Sequence, residues 1–379
     1  MTPDIKQLIE LRHWLHAHPE VSRQEINTAE HMRRFLTEHA PADQIIQLDG
    51  AGFAAVYDGK APGKTVMLRA ELDALPIHEI NDDIPYRSRH DGVGHKCGHD
   101  GHMAILAGVA QTLVERPANG SVVLLFQPDE ETGTGARNCS QHPNFRTIEP
   151  DFAFALHNLP GFPKGAVICK TGTFASAVKY VAVKLSGKEA HSAQPETGAS
   201  PSFAMAELTL KARELQAAYD TPEAYALIVP IYTEMGVQSS GVCPARGEAH
   251  FTLRAAEGAV VERMCGELAA KAKDLAKTYG LALKFETKEE FAATTNSQLA
   301  FDMIGQAAAA TGSTLLPIDR PFRWGEDFGE ITGRYEGGMF GLGAGEDQPD
   351  LHNPDYDFPD DILVNGISIF SNLARIALT

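Results

Sequence analysis

The 379-residue sequence is short of several things, and each shortage excludes a class of protein. It has no apolar run of the length that spans a bilayer, about 18 residues or more. The opening residues Met1, Thr2, Pro3, Asp4, Ile5 and Lys6 lack the apolar run of a signal peptide, so a soluble, cytoplasmic protein is expected. Cysteine is scarce: Cys97, Cys139, Cys169, Cys243 and Cys265 are odd in number, widely spaced and without a Cys-x-x-Cys pair. Neither a disulfide framework nor a zinc ribbon fits, and reduced thiols are expected. Basic clusters are missing too, because 33 Lys and Arg face 50 Asp and Glu for a formal net charge of -17. That excludes a nucleic-acid groove and an anionic membrane surface as partners. There is no internal repeat and no low-complexity linker, and a prior of roughly 150 residues per domain gives two or three domains.

What the sequence does have is concentrated chemistry at residues 94–102, where His95, Cys97, His99, Asp100 and His102 crowd together. Cys97 and His99 sit two apart, so in an extended loop their side chains point the same way and suit a borderline-soft cation. Gly98 and Gly101 leave backbone room beside them. Thr2 and Pro3 can start a helix on which Ile5, Leu8, Ile9 and Leu15 recur, and a second helix is expected over 28–39. Between them His16 and His18 read as ligands or as anchors of the turn before Pro19, and they are left out of the site. Apolar runs at 53–57, 65–70, 122–126 and 152–156 read as strands, with a helix over 101–113. Three of these strands run into polar groups: Asp73, the adjacent Glu130 and Glu131, and His157. In open α/β sheets ligands bind at the carboxyl ends of the strands, so these groups are candidates for one site.

From about residue 177 the pattern becomes strand (178–185), helix (202–218), strand (225–232), strand (248–254), helix (260–279) and strand (281–286). That βαββαβ order is ferredoxin-like and could be an insertion into a host domain. The host resumes with a helix over 301–311, a strand over 338–342, His352 after a Gly-rich loop, and a closing helix over 360–378. Arg254, ending a strand of the inserted unit, could grip a substrate carboxylate bidentately or make an ordinary surface ion pair.

Six stretches in this order resemble the amidohydrolase branch of the co-catalytic metallopeptidases, which includes hippurate hydrolases, indole-acetyl-amino-acid hydrolases and N-acetyl-diaminopimelate deacetylases. They are Leu-His-Ala-His-Pro-Glu at 15–20, Leu-Arg-Ala-Glu-Leu-Asp-Ala-Leu-Pro at 68–76, Cys-Gly-His-Asp-Gly-His at 97–102, Phe-Gln-Pro-Asp-Glu-Glu at 126–131, Ala-Leu-His-Asn at 155–158 and His-Asn-Pro at 352–354. The resemblance covers nearly the whole length. It implies an α/β fold: a di-metal exopeptidase-like catalytic domain with a mixed sheet flanked by helices, formed by residues 1–176 and 289–379. A ferredoxin-like lid and dimerisation domain would be inserted at 177–288. It further implies that Cys97, His99, Glu131, His157 and His352 hold two divalent metal ions (manganese, zinc, nickel or cobalt). Glu130 would be the general acid/base acting on a metal-bridging water, and Asp73 an orienting group behind the ligands. His191 would reach the partner's active site in a homodimer and stabilise the oxyanion, with Arg254 as the substrate-binding candidate. The implied reaction is hydrolysis of a small N-acyl amino acid, acetyl or benzoyl among others. The alternatives are a dipeptidase and a non-catalytic binding relative; a thiol redox protein would want a resolving cysteine near Cys97. Three departures stand out. Glu71 replaces the histidine that related carboxypeptidases carry at this strand end, and is expected to be structural. Gly-Val-Cys-Pro at 241–244 and Gly-Glu-Asp-Phe at 325–328 replace the branch's usual patterns and put substrate contacts in doubt.

Overall fold

Strands covered on both faces need almost unbroken apolar sequence, and Val122, Val123, Leu124, Leu125 and Phe126 are all buried together. They belong to an eight-stranded sheet in a computed structural model that describes residues 2–221 and 225–379. The sheet order is Gln44–Gln47, Phe53–Asp58, Asn119–Gln127, Ala61–Glu71, Phe152–Pro160, Glu336–Gly345, Val167–Cys169, Leu315–Pro317. The middle four are parallel, and the antiparallel pairings outside them make the sheet mixed. Helices Ile5–Ala17, His99–Thr112 and Leu363–Ala377 bring Leu8, Leu11, Met103, Ile105, Leu106, Ile367 and Phe370 into the core of this sheet. Register then positions the chemistry. Glu71 pairs with Gln127, so the segments bearing Asp73 and Glu130 leave the sheet side by side.

The chain divides into two compact units, the first comprising Met1–Phe174, Thr294–Pro321 and Glu326–Thr379, the second Ala175–Ala293 and Phe322–Gly325. The second unit has its own antiparallel sheet, ordered Ala226–Met235, Arg246–Ala255, Ala177–Ser186, Ala282–Phe291. Its strands alternate, as period-two side chains must: Val181, Val183, Leu185, Phe251 and Leu253 pack with Leu208, Leu215, Met264 and Leu268 of helices Ser202–Tyr219 and Gly258–Thr278.

Several boundaries differ from the sequence expectation, each for a local reason. Asp4, not Thr2, caps the first helix, its carboxylate accepting from Gln7 N at 3.2 Å. The second helix begins at Ile26 because the Glu20 carboxylate, from the preceding turn, accepts from both Thr28 N (2.8 Å) and Thr28 Oγ1 (2.9 Å). The third begins at His99, with Gly98 left-handed at φ 88°, so Cys97 and His99 do not share an extended loop. His157 lies inside a strand that continues to Pro160, not at its end. A 3-10 turn, Asp360–Ile362, precedes the last helix. The strands Val167–Cys169 and Leu315–Pro317 are too short for any period to show in sequence. Among the described residues no helix is long and apolar enough to cross a membrane.

Candidate metal centre

The first unit brings Asp73, Cys97, His99, Glu130, Glu131, His157 and His352 together. Cys97 Sγ lies 3.4 Å from His157 Nε2 and 3.4 Å from His352 Nε2, and His352 Nε2 is 3.6 Å from Glu131 Oε1. His99 Nε2 stands 4.0 Å from both Glu131 Oε1 and Glu130 Oε2. Three overlapping sets, Cys97–His99–His157, Cys97–Glu131–His352 and His99–Glu130–Glu131, have ligand atoms that all lie within 4.8 Å of one another inside each set.

Two features test whether these residues fit a metal. His99 Nε2 and Glu131 Oε1 are buried and have no hydrogen-bond partner, which a neutral cluster would not tolerate. Two of the imidazoles also spend their other nitrogen elsewhere: His99 Nδ1 donates to Asp73 O (2.9 Å) and His157 Nδ1 to Asn158 O (2.9 Å). That tautomer turns the Nε2 lone pairs toward Cys97 and Glu131, the arrangement metal-ligating histidines adopt. The electrostatics agree. Burial, then neighbouring glutamates, pushes the Cys97 thiol well above its usual range. Burial pushes Glu131 up to about 7, partly relieved by His99, and burial with Glu326 and Glu131 raises Glu130 strongly. Anionic groups so crowded call for positive charge: although burial opposes it, Glu71, Asp73 and Glu131 push His99 up to about 10, and divalent cations would supply that charge instead. The residues fit.

Asp73 orients two of these groups. Its Oδ2 accepts from Glu131 N (3.0 Å) and Ser22 Oγ (2.7 Å), while its carbonyl takes the His99 proton. Glu71 is consumed by Arg69 and by His102 Nδ1, the latter at 2.8 Å. His102 Nε2 in turn accepts from Asn158 N (3.1 Å), beside His157. Sequence reasoning counted His102 in the dense stretch but gave neither it nor Arg69 a role in the site; the signal was there, in a histidine three residues from His99 on one helix face. A Cβ at Gly98 would meet Asn158 Oδ1 at 2.4 Å and one at Gly101 would meet the Phe358 ring at 2.3 Å, so both glycines are required by close approach. Asp129 (φ 60°) and His352 (φ 66°) hold left-handed backbone at either side of the centre, and His352 N donates to Lys96 O (2.7 Å).

Behind the ligand loop runs a buried ionic network. Asp100, next to His99, accepts from His16 Nδ1 (2.8 Å) and Arg12 (3.3 Å), and His16 Nε2 reaches Glu79 at 2.8 Å. Lys96 Nζ also pairs with Glu79 and donates to Tyr356 O (2.8 Å). His16 is thus an anchor. Burial opposes its charge, but the bonds from Asp100 and Glu79 outweigh burial and push its pKa up to about 9. A raised histidine pKa stabilises the fold fully below its unfolded value of about 6.5, and that stability is lost as pH rises through about 9. Thermal unfolding of the metal-free protein should therefore lose on the order of 3 kcal/mol across that window. His16→Gln should flatten the alkaline decline, and an unchanged profile would refute the assignment.

The two remaining candidates lie in the second unit. His191 is exposed, pairs through its backbone with Val242, and its Nδ1 accepts from Ala193 N (3.1 Å), which leaves the proton on Nε2. The 241–244 segment is therefore the strand partner of His191. Arg254 donates to Arg323 O (2.9 Å), and burial lowers its pKa. The 325–328 segment, where substrate contacts were in doubt, instead buries Glu326 and Asp327 against Arg69 in the first unit.

Comparison with known proteins now adds the family. Residues 67–376 match peptidase family M20/M25/M40. The chain belongs to this family. This M20/M25/M40 hydrolase is 28% identical over 348 residues to N-acetyldiaminopimelate deacetylase of Oceanobacillus iheyensis, covering 92% of this chain and 93% of the relative. It is 28% identical over 378 residues to N-acetylcysteine deacetylase of Bacillus subtilis, covering 98% and 97%. Its fold matches the crystal structure of the Bacillus subtilis YXEP protein, a dinuclear metal binding peptidase from the M20 family, with a TM-score of 0.83, 26% identity and coverage of 99% and 98%.

Proposed function

We propose that this M20/M25/M40 member is a metal-dependent amidohydrolase that cleaves an N-acyl amino acid, acetyl or benzoyl among others, to a carboxylate and a free amino acid. The observation that carries it is the convergence of two buried, unpartnered atoms, His99 Nε2 and Glu131 Oε1, beside Glu130. Cys97, His99, Glu131, His157 and His352 would hold two divalent ions, manganese, zinc, nickel or cobalt. Bound there, the ions supply Lewis acidity, polarising the amide carbonyl and lowering the pKa of water. Glu130 takes the proton of the attacking water on its carboxylate and delivers it to the leaving amine. Asp73 orients His99 and Glu131. The names of the relatives support acetyl amino acids over dipeptides as substrates.

The second unit is proposed as a ferredoxin-like insertion at 177–288 within a catalytic domain of residues 1–176 and 289–379, acting as lid and dimerisation domain. Its strand–helix–strand–strand–helix–strand order supports this. So does its edge strand Ala226–Met235, which leaves Val229, Ile231, Tyr232 and Met235 exposed, an edge that a second copy would cover in a homodimer. In that dimer His191, its proton on Nε2, would donate to the partner's oxyanion, and the remaining N–H groups of Arg254 would grip the substrate carboxylate. Five free cysteines suit a cytoplasmic setting.

Chelation should abolish activity, and about two ions per chain should restore it, since five ligands exceed one tetrahedral site. Elemental analysis joined to a screen of acetyl, benzoyl and indole-acetyl amino acids with each metal is the test. Full activity in exhaustively metal-free protein would refute the reading.

A further inference from the structure

One buried cation, Arg69, acts electrostatically on the Glu130 carboxylate, and no hydrogen bond joins the two. The guanidinium of Arg69 is fully buried, and each of its five N–H groups is taken. Nε donates to Gln127 Oε1 (2.9 Å), NH1 to Glu71 and to Glu326 Oε2 (3.4 Å), and NH2 to Glu326 Oε1 (2.8 Å) and Asp327 Oδ1 (2.7 Å). Glu326 and Asp327 are themselves held in place. Glu326 accepts from Phe328 N (3.0 Å), and Asp327 accepts from Gln127 Nε2 (2.9 Å) and Ala136 N (2.7 Å). Carboxylate oxygens of Glu130, Glu326 and Asp327 lie within 4.8 Å of one another, and Glu130 Oε2 also stands 4.0 Å from His99 Nε2.

A buried carboxylate beside an unsaturated guanidinium ordinarily pairs with it bidentately. Captured there, Glu130 would no longer be free to serve the His99 and Glu131 cluster. We infer that Glu326, with Asp327, is a positioning residue for the reaction: it saturates Arg69 and, as a fixed negative charge, turns Glu130 toward the metal centre. The inference rests on reading Glu130 as the proton carrier. The Gly-Glu-Asp-Phe segment then has a task that substrate contact did not explain.

The test is Glu326→Gln, which keeps volume, removes the repelling charge and frees Arg69 to bond elsewhere. In a crystal structure of the metal-loaded variant, Glu130 should sit within about 3.2 Å of the Arg69 guanidinium. The kcat for an N-acyl amino acid should fall by about 10–10², with KM and metal content unchanged. Adding Arg69→Met removes the competing cation, so the double variant should regain activity several-fold over Glu326→Gln. A merely structural role predicts the reverse order, because Arg69→Met strips the partner from Glu71 and Asp327. Should the double variant fail to fold, the single variant decides. Glu130 unmoved, or moved with kcat intact, overturns the inference, as does a folded double variant less active than the single. If the wild-type enzyme hydrolyses no N-acyl amino acid with any metal, the proposed function falls, while the position of Glu130 in Glu326→Gln still decides this inference.

Discussion

Replacing Glu130 by Gln is expected to lower kcat by about 10²–10⁴, the usual worth of a positioned acid/base, while leaving two metals per chain and KM nearly unchanged. The amide keeps the volume and the neighbours but cannot take a proton. Glu131→Gln should behave differently. Glu131 Oε1 stands 3.6 Å from His352 Nε2 and 4.0 Å from His99 Nε2, which makes it the carboxylate at the middle of the ligand set. Its loss should release metal, and activity should return only at raised metal concentration. The pair is informative because the two residues are adjacent and share an acidic environment, so nonspecific damage would affect both alike. Metal retained in Glu131→Gln but lost in Glu130→Gln would show that the roles are reversed.

The second expectation concerns subunits. An oxyanion donor contributes about 10²–10³ in rate, so His191→Ala should be nearly as inactive as Glu130→Gln. If each active site combines Glu130 of one subunit with His191 of the other, mixing the two inactive variants under conditions of subunit exchange yields hybrids with one intact site. Random exchange makes about half of the dimers hybrid, and each hybrid has one good site of two, so activity should rise toward about a quarter of wild type. Proven exchange without recovery would show that His191 acts within its own chain or not at all. His191→Gln offers a second check, because its amide N–H can replace an Nε2–H donor but cannot carry a proton.

Much of this was legible in the sequence because the physics was local. Apolar runs at 122–126 and 152–156 became central strands since only unbroken apolar sequence can be buried on both faces. The density of Cys97, His99 and His102 marked the centre before any geometry was known. Period-two and helical patterns likewise exposed the strand and helix order of the second unit. Local patterns also misled where a neighbouring residue intervened: Glu20 accepts from Thr28 N, with the second helix starting two residues before Thr28, and Gly98 turns the chain so that His99 opens a helix.

What the sequence by itself determined was therefore the candidate residue types, and that Asp73 and Glu130 follow apolar strands, whereas His157 lies inside its strand and His99 opens a helix. Tertiary structure alone decided which nitrogen of His99 and of His157 faces inward, because the Asp73 and Asn158 carbonyls that take the other proton are known only from packing. It decided too that Arg69 donates to Glu326, 257 residues away in the chain. Buried charge must be paired, but the partner is chosen by the register of strands and the path of loops, and a single sequence with its short-range periodicities records neither.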